Sequence, residues 1–244
     1  GCPDRSVIGV DEFEGELLAQ EIADHLHDDR IIRVSGSKKI TNLGWTVFAN
    51  KGFLSEYRRG KQVASLDLRK CKALQGAHYH QNACAAYAAV RTLGIGPRSV
   101  EKALNSFTGL EHRSQFVTEI SGVSFINDSK ATNVESAMKA LETFAKVRWI
   151  CGGEQKEEDI SRLNNVLTDV KKAYIIGTKA VKFSLQISCE FEICSTMDVA
   201  VKKAFNDAKE GETVLLAPAA ASFDQYSSFE ERGKAFEQAV RKLV

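Results

Sequence analysis

At 244 residues the chain has room for one large domain or two ordinary ones, and its 43% hydrophobic and 27% charged residues are those of a soluble globular protein. A formal net charge of +1 leaves no electrostatic case for nucleic acid or an anionic membrane surface as a partner. No apolar run approaches the roughly 20 residues that span a bilayer, and the opening GCPDRSVIGVDEFEGE lacks the basic start and apolar stretch of a signal peptide, so no membrane insertion and a cytoplasmic location are expected.

In chain order, SVIGV at 6–10 is a short β-rich run. Leu17, Leu18, Ile22 and Leu26 then recur at helical spacing, and RIIRVSG returns to strand. From Trp45 to Leu68 two alternating stretches, separated by turn-like NKG and RRGK, predict antiparallel strands. The Ala-rich segment 81–94 closes on Gly94 and reads as a tightly packed helix; Pro97 opens another.

Beyond residue 107 the rhythm becomes regular. Strands are expected at 123–126, 147–151, 173–176, 191–194 and 214–217, with helices at 134–144, 160–166, 180–186, 199–209 and 229–243. Such alternation predicts a parallel sheet covered on both faces, with a domain boundary near 107–110. Two domains follow, 1–108 and 109–244. Six cysteines are scattered without zinc spacing, so neither a disulfide nor a sulfur-bound metal is expected.

Ligands of open α/β sheets bind beyond the carboxyl ends of the strands. The conspicuous polar runs stand there: NDSKATN after the first of these strands, GGEQKEED after the second and APAAASFDQYSSFEERG after the last. Lys130 and Lys156 follow different strands and could reach one crevice, where two ammonium groups beside helix starts suit a carboxylate or phosphate. Taken alone, each reads equally well as a solvated surface lysine.

Gly152–Gly153 would let a ligand approach the backbone, or simply end a strand. The small residues 218–221 offer a similar approach, with Ser222 supplying a hydroxyl and Phe229 a wall, and this is favoured over a tight loop packed under its own aromatics. Arg232 and Gly233 could belong to the same site or instead be a helix-surface charge and a local bend. His78 and His80 have no third ligand nearby in sequence, so no metal is expected there. Neither a G-x-S-x-G elbow nor a G-x-x-x-x-G-K-[ST] phosphate loop occurs.

FTGLEHRSQFV, GVSFINDSKATN, ICGGEQKEED and VLLAPAAASFDQYSSFEERGKAF, in that order and spacing, resemble the last domain of the Mur ligases, and among them the branch that adds D-glutamate. The match is strongest over 76–244. It implies a C-terminal Rossmann-like, doubly wound, mostly parallel sheet, preceded by an incomplete piece of the α/β ATP-binding domain. It also implies an ATP-dependent ligase that converts the alanyl carboxylate of UDP-N-acetylmuramoyl-L-alanine to an acyl phosphate, which the D-glutamate amine then attacks. By the same resemblance Lys130, Thr132, Lys156, Ser222 and Phe229 would hold D-glutamate, while Asn82, Arg113 and Asp128 would contact ATP. Two lysines with hydroxyl donors suit a dicarboxylate, since charge-assisted hydrogen bonds contribute ~1.5–3 kcal/mol each.

The family's usual Asn is replaced by Tyr79. Its phosphate loop, its magnesium ligands and its modified lysine would lie upstream, so ATP and Mg2+ belong to a longer enzyme and this chain alone is expected to be inactive. A stand-alone, non-catalytic module that binds an acidic metabolite or a partner protein is the other reading the sequence leaves open.

Overall fold

The computed structural model describes residues 5–25, 27, 30–71, 73–74, 77–155 and 157–244, without the side chains of residues 77 and 78. Its contacts divide the chain into two compact units, Gly1–Thr108 and Gly109–Val244.

In the first unit β1 (Ser6–Gly9), β2 (Ile31–Ser35) and β3 (Trp45–Asn50) run parallel, and β4 (Phe53–Arg58) and β5 (Lys61–Asp67) extend the sheet antiparallel in sequential order. The two hairpins turn on Lys51–Gly52 (φ +49° and +80°) and Arg59–Gly60 (φ +50° and +76°). Positive φ at both central residues is the type I′ geometry whose twist matches that of paired strands. Helix α1 (Phe13–Ala23) follows β1, while α2 (Ala77–Thr92) covers the sheet and α3 (Pro97–Ser106) packs beside it.

Ala83, Cys84, Tyr87 and Ala88 form the buried face of α2, where small residues let the helix lie close to the sheet. Tyr79 packs against the same core. A fully buried carboxylate, Glu56, anchors α2: Tyr87 Oη donates to it at 2.7 Å, Arg58 Nε at 2.8 Å and Arg91 Nε at 3.0 Å. Burial alone would push this carboxyl up, but the three donors outweigh it and hold it below the ordinary glutamate value.

The second unit is a six-stranded sheet of β6 (Gln115–Ile120), β7 (Val123–Asn127), β8 (Val147–Gly152), β9 (Val170–Ile176), β10 (Phe191–Ile193) and β11 (Thr213–Leu216). Their order is β10-β9-β8-β11-β7-β6, parallel except for β6, which runs antiparallel to β7 at one edge. On one face lie α4 (Val134–Thr143), a 3-10 segment (Ser161–Asp169) and α5 (Ala180–Ser184); on the other lie α6 (Met197–Asp207) and α7 (Phe229–Arg241).

Alternation along β8 shows why both faces are apolar: Val147, Trp149 and Cys151 enter the first core and Ile150 the second. The helix expected at 160–166 is a 3-10 segment, and β6 is an addition to the expected strands. Its turn is again type I′, on Ser121–Gly122 (φ +50° and +74°). The five described cysteines are free thiols; Cys2 lies outside the described residues. Among the described residues no helix is long and apolar enough to cross a membrane, and no group of three or more His, Cys, Asp or Glu could hold a metal ion.

Candidate functional site

The strands of the second unit place three loops at their carboxyl ends. The strands that precede Lys130 and Lys156, β7 and β8, are separated by β11, so the loop that bears Ser222 starts between the two lysine-bearing loops. Lys156 itself lies outside the described residues.

Past β7 the chain turns tightly. Asp128 N donates to Leu216 O (2.8 Å), Lys130 N to His112 O (3.0 Å) and Ala131 N to Asp128 O (2.9 Å). Asn133 then caps α4, its Oδ1 accepting from Ser136 N at 2.8 Å. Ser129, wholly buried, is fastened on every side: its N donates to Asn127 Oδ1 (3.1 Å) and its Oγ to Phe229 O (2.7 Å). The turn therefore has a fixed backbone.

Lys130 is half-buried, and its Nζ stands 4.1 Å from the centre of the Phe229 ring, within cation–π range. Phe229 is thus a seat for the ammonium. It opens α7, whose cap Ser228 accepts from Glu231 N (3.3 Å), a capping-box spacing. Thr132 is half-buried at the same turn. Ser222 is buried one residue beyond Ala221, whose backbone pairs with that of Glu154 in both directions (2.9 and 3.0 Å).

Asp128 is 9% exposed. Burial pushes its carboxyl up to about 6, against the pull of a hydrogen bond from Ser114 Oγ (3.1 Å) and the charge of Arg113, which is exposed. Asn82 is exposed on α2 in the other unit.

The glycine pair is explained by the protein itself. A Cβ on Gly152 would stand 2.2 Å from Ile176 O, and one on Gly153, at φ +132°, 2.3 Å from Ala221 O. The small-residue run is likewise buried, with Ala219 N donating to Ala131 O at 2.9 Å, so it is a packed loop and not an open ligand shelf.

Four residues outside the expected ligand contacts organise this region. Arg232 is the largest correction: instead of a helix-surface charge it is a 1% exposed guanidinium. Its Nε donates to Ser129 Oγ (3.1 Å), Nη2 to Ser129 O (2.9 Å) and Nη1 to Ala220 O (3.0 Å). Burial lowers its pKa to about 10, so it remains a cation at neutral pH. A signal existed, since Arg232 shares a stripe with Phe236, Ala239 and Val240 on the apolar face of α7.

Asn127, Ser129 and His112 are the other three. Because Asn127 Oδ1 accepts from Ser129 N, its Nδ2 is the donor toward His112 Nδ1 (2.9 Å), which leaves the imidazole proton on Nε2. That nitrogen is buried without a partner among the described residues. Gly233 is required here, for a Cβ would stand 2.2 Å from His112 Nδ1.

An ammonium held at the carboxyl rim of a parallel sheet suits a small anion. Residues 112–220 match the family described as Mur ligase, glutamate ligase domain. Along its whole length the chain is 58% identical, over 244 residues, to a protein of Ruegeria pomeroyi named UDP-N-acetylmuramoylalanine--D-glutamate ligase, covering 52% of it. The chain is thus similar to the Mur ligases, through the matched domain and along its whole length. A protein of the same name from Roseobacter denitrificans is 56% identical over 244 residues, with all of this chain and 53% of that protein covered. The chain thus spans about half the length of the curated relatives it matches. A pseudomurein peptide ligase type C from Methanothermus fervidus shares the fold of this chain, with a TM-score of 0.66 over 98% of this chain and 57% of that one at 14% identity.

Proposed function

We propose that the chain is the C-terminal half of an ATP-dependent ligase that adds D-glutamate to UDP-N-acetylmuramoyl-L-alanine in cytoplasmic peptidoglycan-precursor synthesis. In this reading the second unit takes the incoming amino acid, and the first is the later part of the ATP-binding domain. Lys130 and Lys156 receive the two carboxylates of D-glutamate, with Thr132, Ser222 and Phe229 beside them. Asp128, Arg113 and Asn82 face the nucleotide. The phosphoryl group passes from ATP to the alanyl carboxylate, the D-glutamate amine attacks that acyl carbon, and phosphate departs as the amide forms. Positioning of the amine is the main contribution of this half. In this reading the Mg2+ ligands belong to the preceding half.

One observation carries the reading: the Lys130 ammonium is seated 4.1 Å from the Phe229 ring at the carboxyl rim of the sheet, in a turn whose backbone is already fixed. Such a cation is pre-positioned for a carboxylate and has little side-chain freedom left to lose. The test uses the full-length ligase. Lys130→Ala and Lys156→Ala are each expected to raise the KM for D-glutamate at least tenfold, with the KM for ATP changed less than threefold. Unchanged D-glutamate KM values in both variants would remove the clamp.

A further inference from the structure

We infer that Arg232 is a positioning residue, a buried fork that locks the Lys130 turn to the Ser222 loop and gives the crevice its shape before any ligand arrives. The inference rests on the reading of Lys130 and Ser222 as amino-acid contacts, but its structural half stands by itself.

The geometry is specific. Arg232 lies on the inward face of α7, three residues after Phe229. It donates to both Ser129 Oγ (3.1 Å) and Ser129 O (2.9 Å), and Ser129 sits between Asp128 and Lys130. Its third bond, to Ala220 O (3.0 Å), grips the loop two residues before Ser222. Ser129 Oγ closes the circuit by donating to Phe229 O (2.7 Å), the residue under the Lys130 ammonium. One planar group therefore spans three chain segments that carry Asp128, Lys130, Ser222 and Phe229.

The electrostatics make a simple packing role a poor account. Among the described residues no carboxylate lies within ion-pair distance of this guanidinium; Asp224 acts on it only from farther away. Burying a cation without such a partner is unfavourable, and an apolar side chain of similar volume would fill the space without that cost. What an apolar residue cannot do is donate to two carbonyls and a hydroxyl on separate loops. Lysine cannot either, since its single nitrogen does not reproduce a planar fork. A Cβ on Gly153 would stand 3.2 Å from Nη1, so the β8 loop is also closed down over the group.

The test compares Arg232→Lys, Ser129→Ala and Lys130→Ala in this 244-residue chain, by amide hydrogen exchange and by calorimetric titration with D-glutamate. In Arg232→Lys the amides of Ser129, Lys130 and Ala221 are expected to exchange at least tenfold faster, while β8, β9 and α6 keep wild-type protection. D-glutamate binding should weaken tenfold or more. Ser129→Ala, which removes one acceptor, should show a smaller change at the same amides. Lys130→Ala should weaken D-glutamate without altering exchange. Two results overturn the inference: unchanged exchange at the three amides in Arg232→Lys, or protection lost evenly across the whole unit, which would make Arg232 an ordinary core residue. If the wild-type chain gives no heat with D-glutamate, the assignment of the amino-acid site fails separately, and exchange still decides the role of Arg232.

Discussion

Replacing Asp128 with asparagine should stabilise the second unit at neutral pH and do so less as the pH falls. Burial displaces this carboxyl from its ordinary 3.8 to about 6. Between those values the folded chain holds a proton that the unfolded chain has lost, so stability declines as the pH rises through that window, and the full cost is present at pH 7 and above. At 1.36 kcal/mol per pH unit, the displacement corresponds to about 3 kcal/mol. Asparagine removes that cost and can still accept from Ser114 Oγ through its own Oδ1, but its amide donors need partners in a buried place; the net gain expected is therefore about 1–3 kcal/mol.

Each unit contains one tryptophan, Trp45 in the first and Trp149 in the second. Urea unfolding followed by Trp149 fluorescence in a Trp45→Phe background isolates the second unit. The variant should exceed its parent by about 1–3 kcal/mol at pH 7.5 and match it within about 0.5 kcal/mol at pH 4. An offset independent of pH, or a loss at pH 7.5, would refute the argument. Activity should move the opposite way in the full-length ligase, as expected when a site retains a costly buried charge for function.

Gly153→Ala should cost the second unit more than about 2 kcal/mol, because φ +132° and a Cβ 2.3 Å from Ala221 O leave no room for relaxation. A change under about 0.5 kcal/mol in the same urea experiment would show that the loop yields. In the first unit Glu56→Gln should cost about 2–4 kcal/mol, since Arg58, Arg91 and Tyr87 lose a shared buried carboxylate. Its pKa is held low in the fold, so the stability it contributes is present above the ordinary glutamate value and is lost as the pH falls through the folded value. Trp45 fluorescence measures it; equal stability of variant and parent at pH 7 would sink the claim.

Much of this protein is legible in one dimension because its signals are local. Short apolar runs alternating with helical spacing define a parallel sheet wherever both faces must be covered, and β7, β8, β9, β10 and β11 all fall where that rhythm puts them. Caps such as Asn133, Thr196 and Ser228 act within four residues of themselves. β6 was passed over although Ser121–Gly122 marks its hairpin, because its half-exposed residues carry a weaker apolar pattern than the buried strands.

Sequence alone determined the alternation of elements, the family's motifs and the gathering of polar residues at strand ends. Only the tertiary structure decided that β11 divides β7 from β8, that Gly152 and Gly153 answer to neighbouring backbone, and that Arg232 is buried under two loops. The reason is physical: whether an arginine faces water or three carbonyl and hydroxyl oxygens depends on segments a hundred residues apart, and no pattern within a single helix records which of them will meet it.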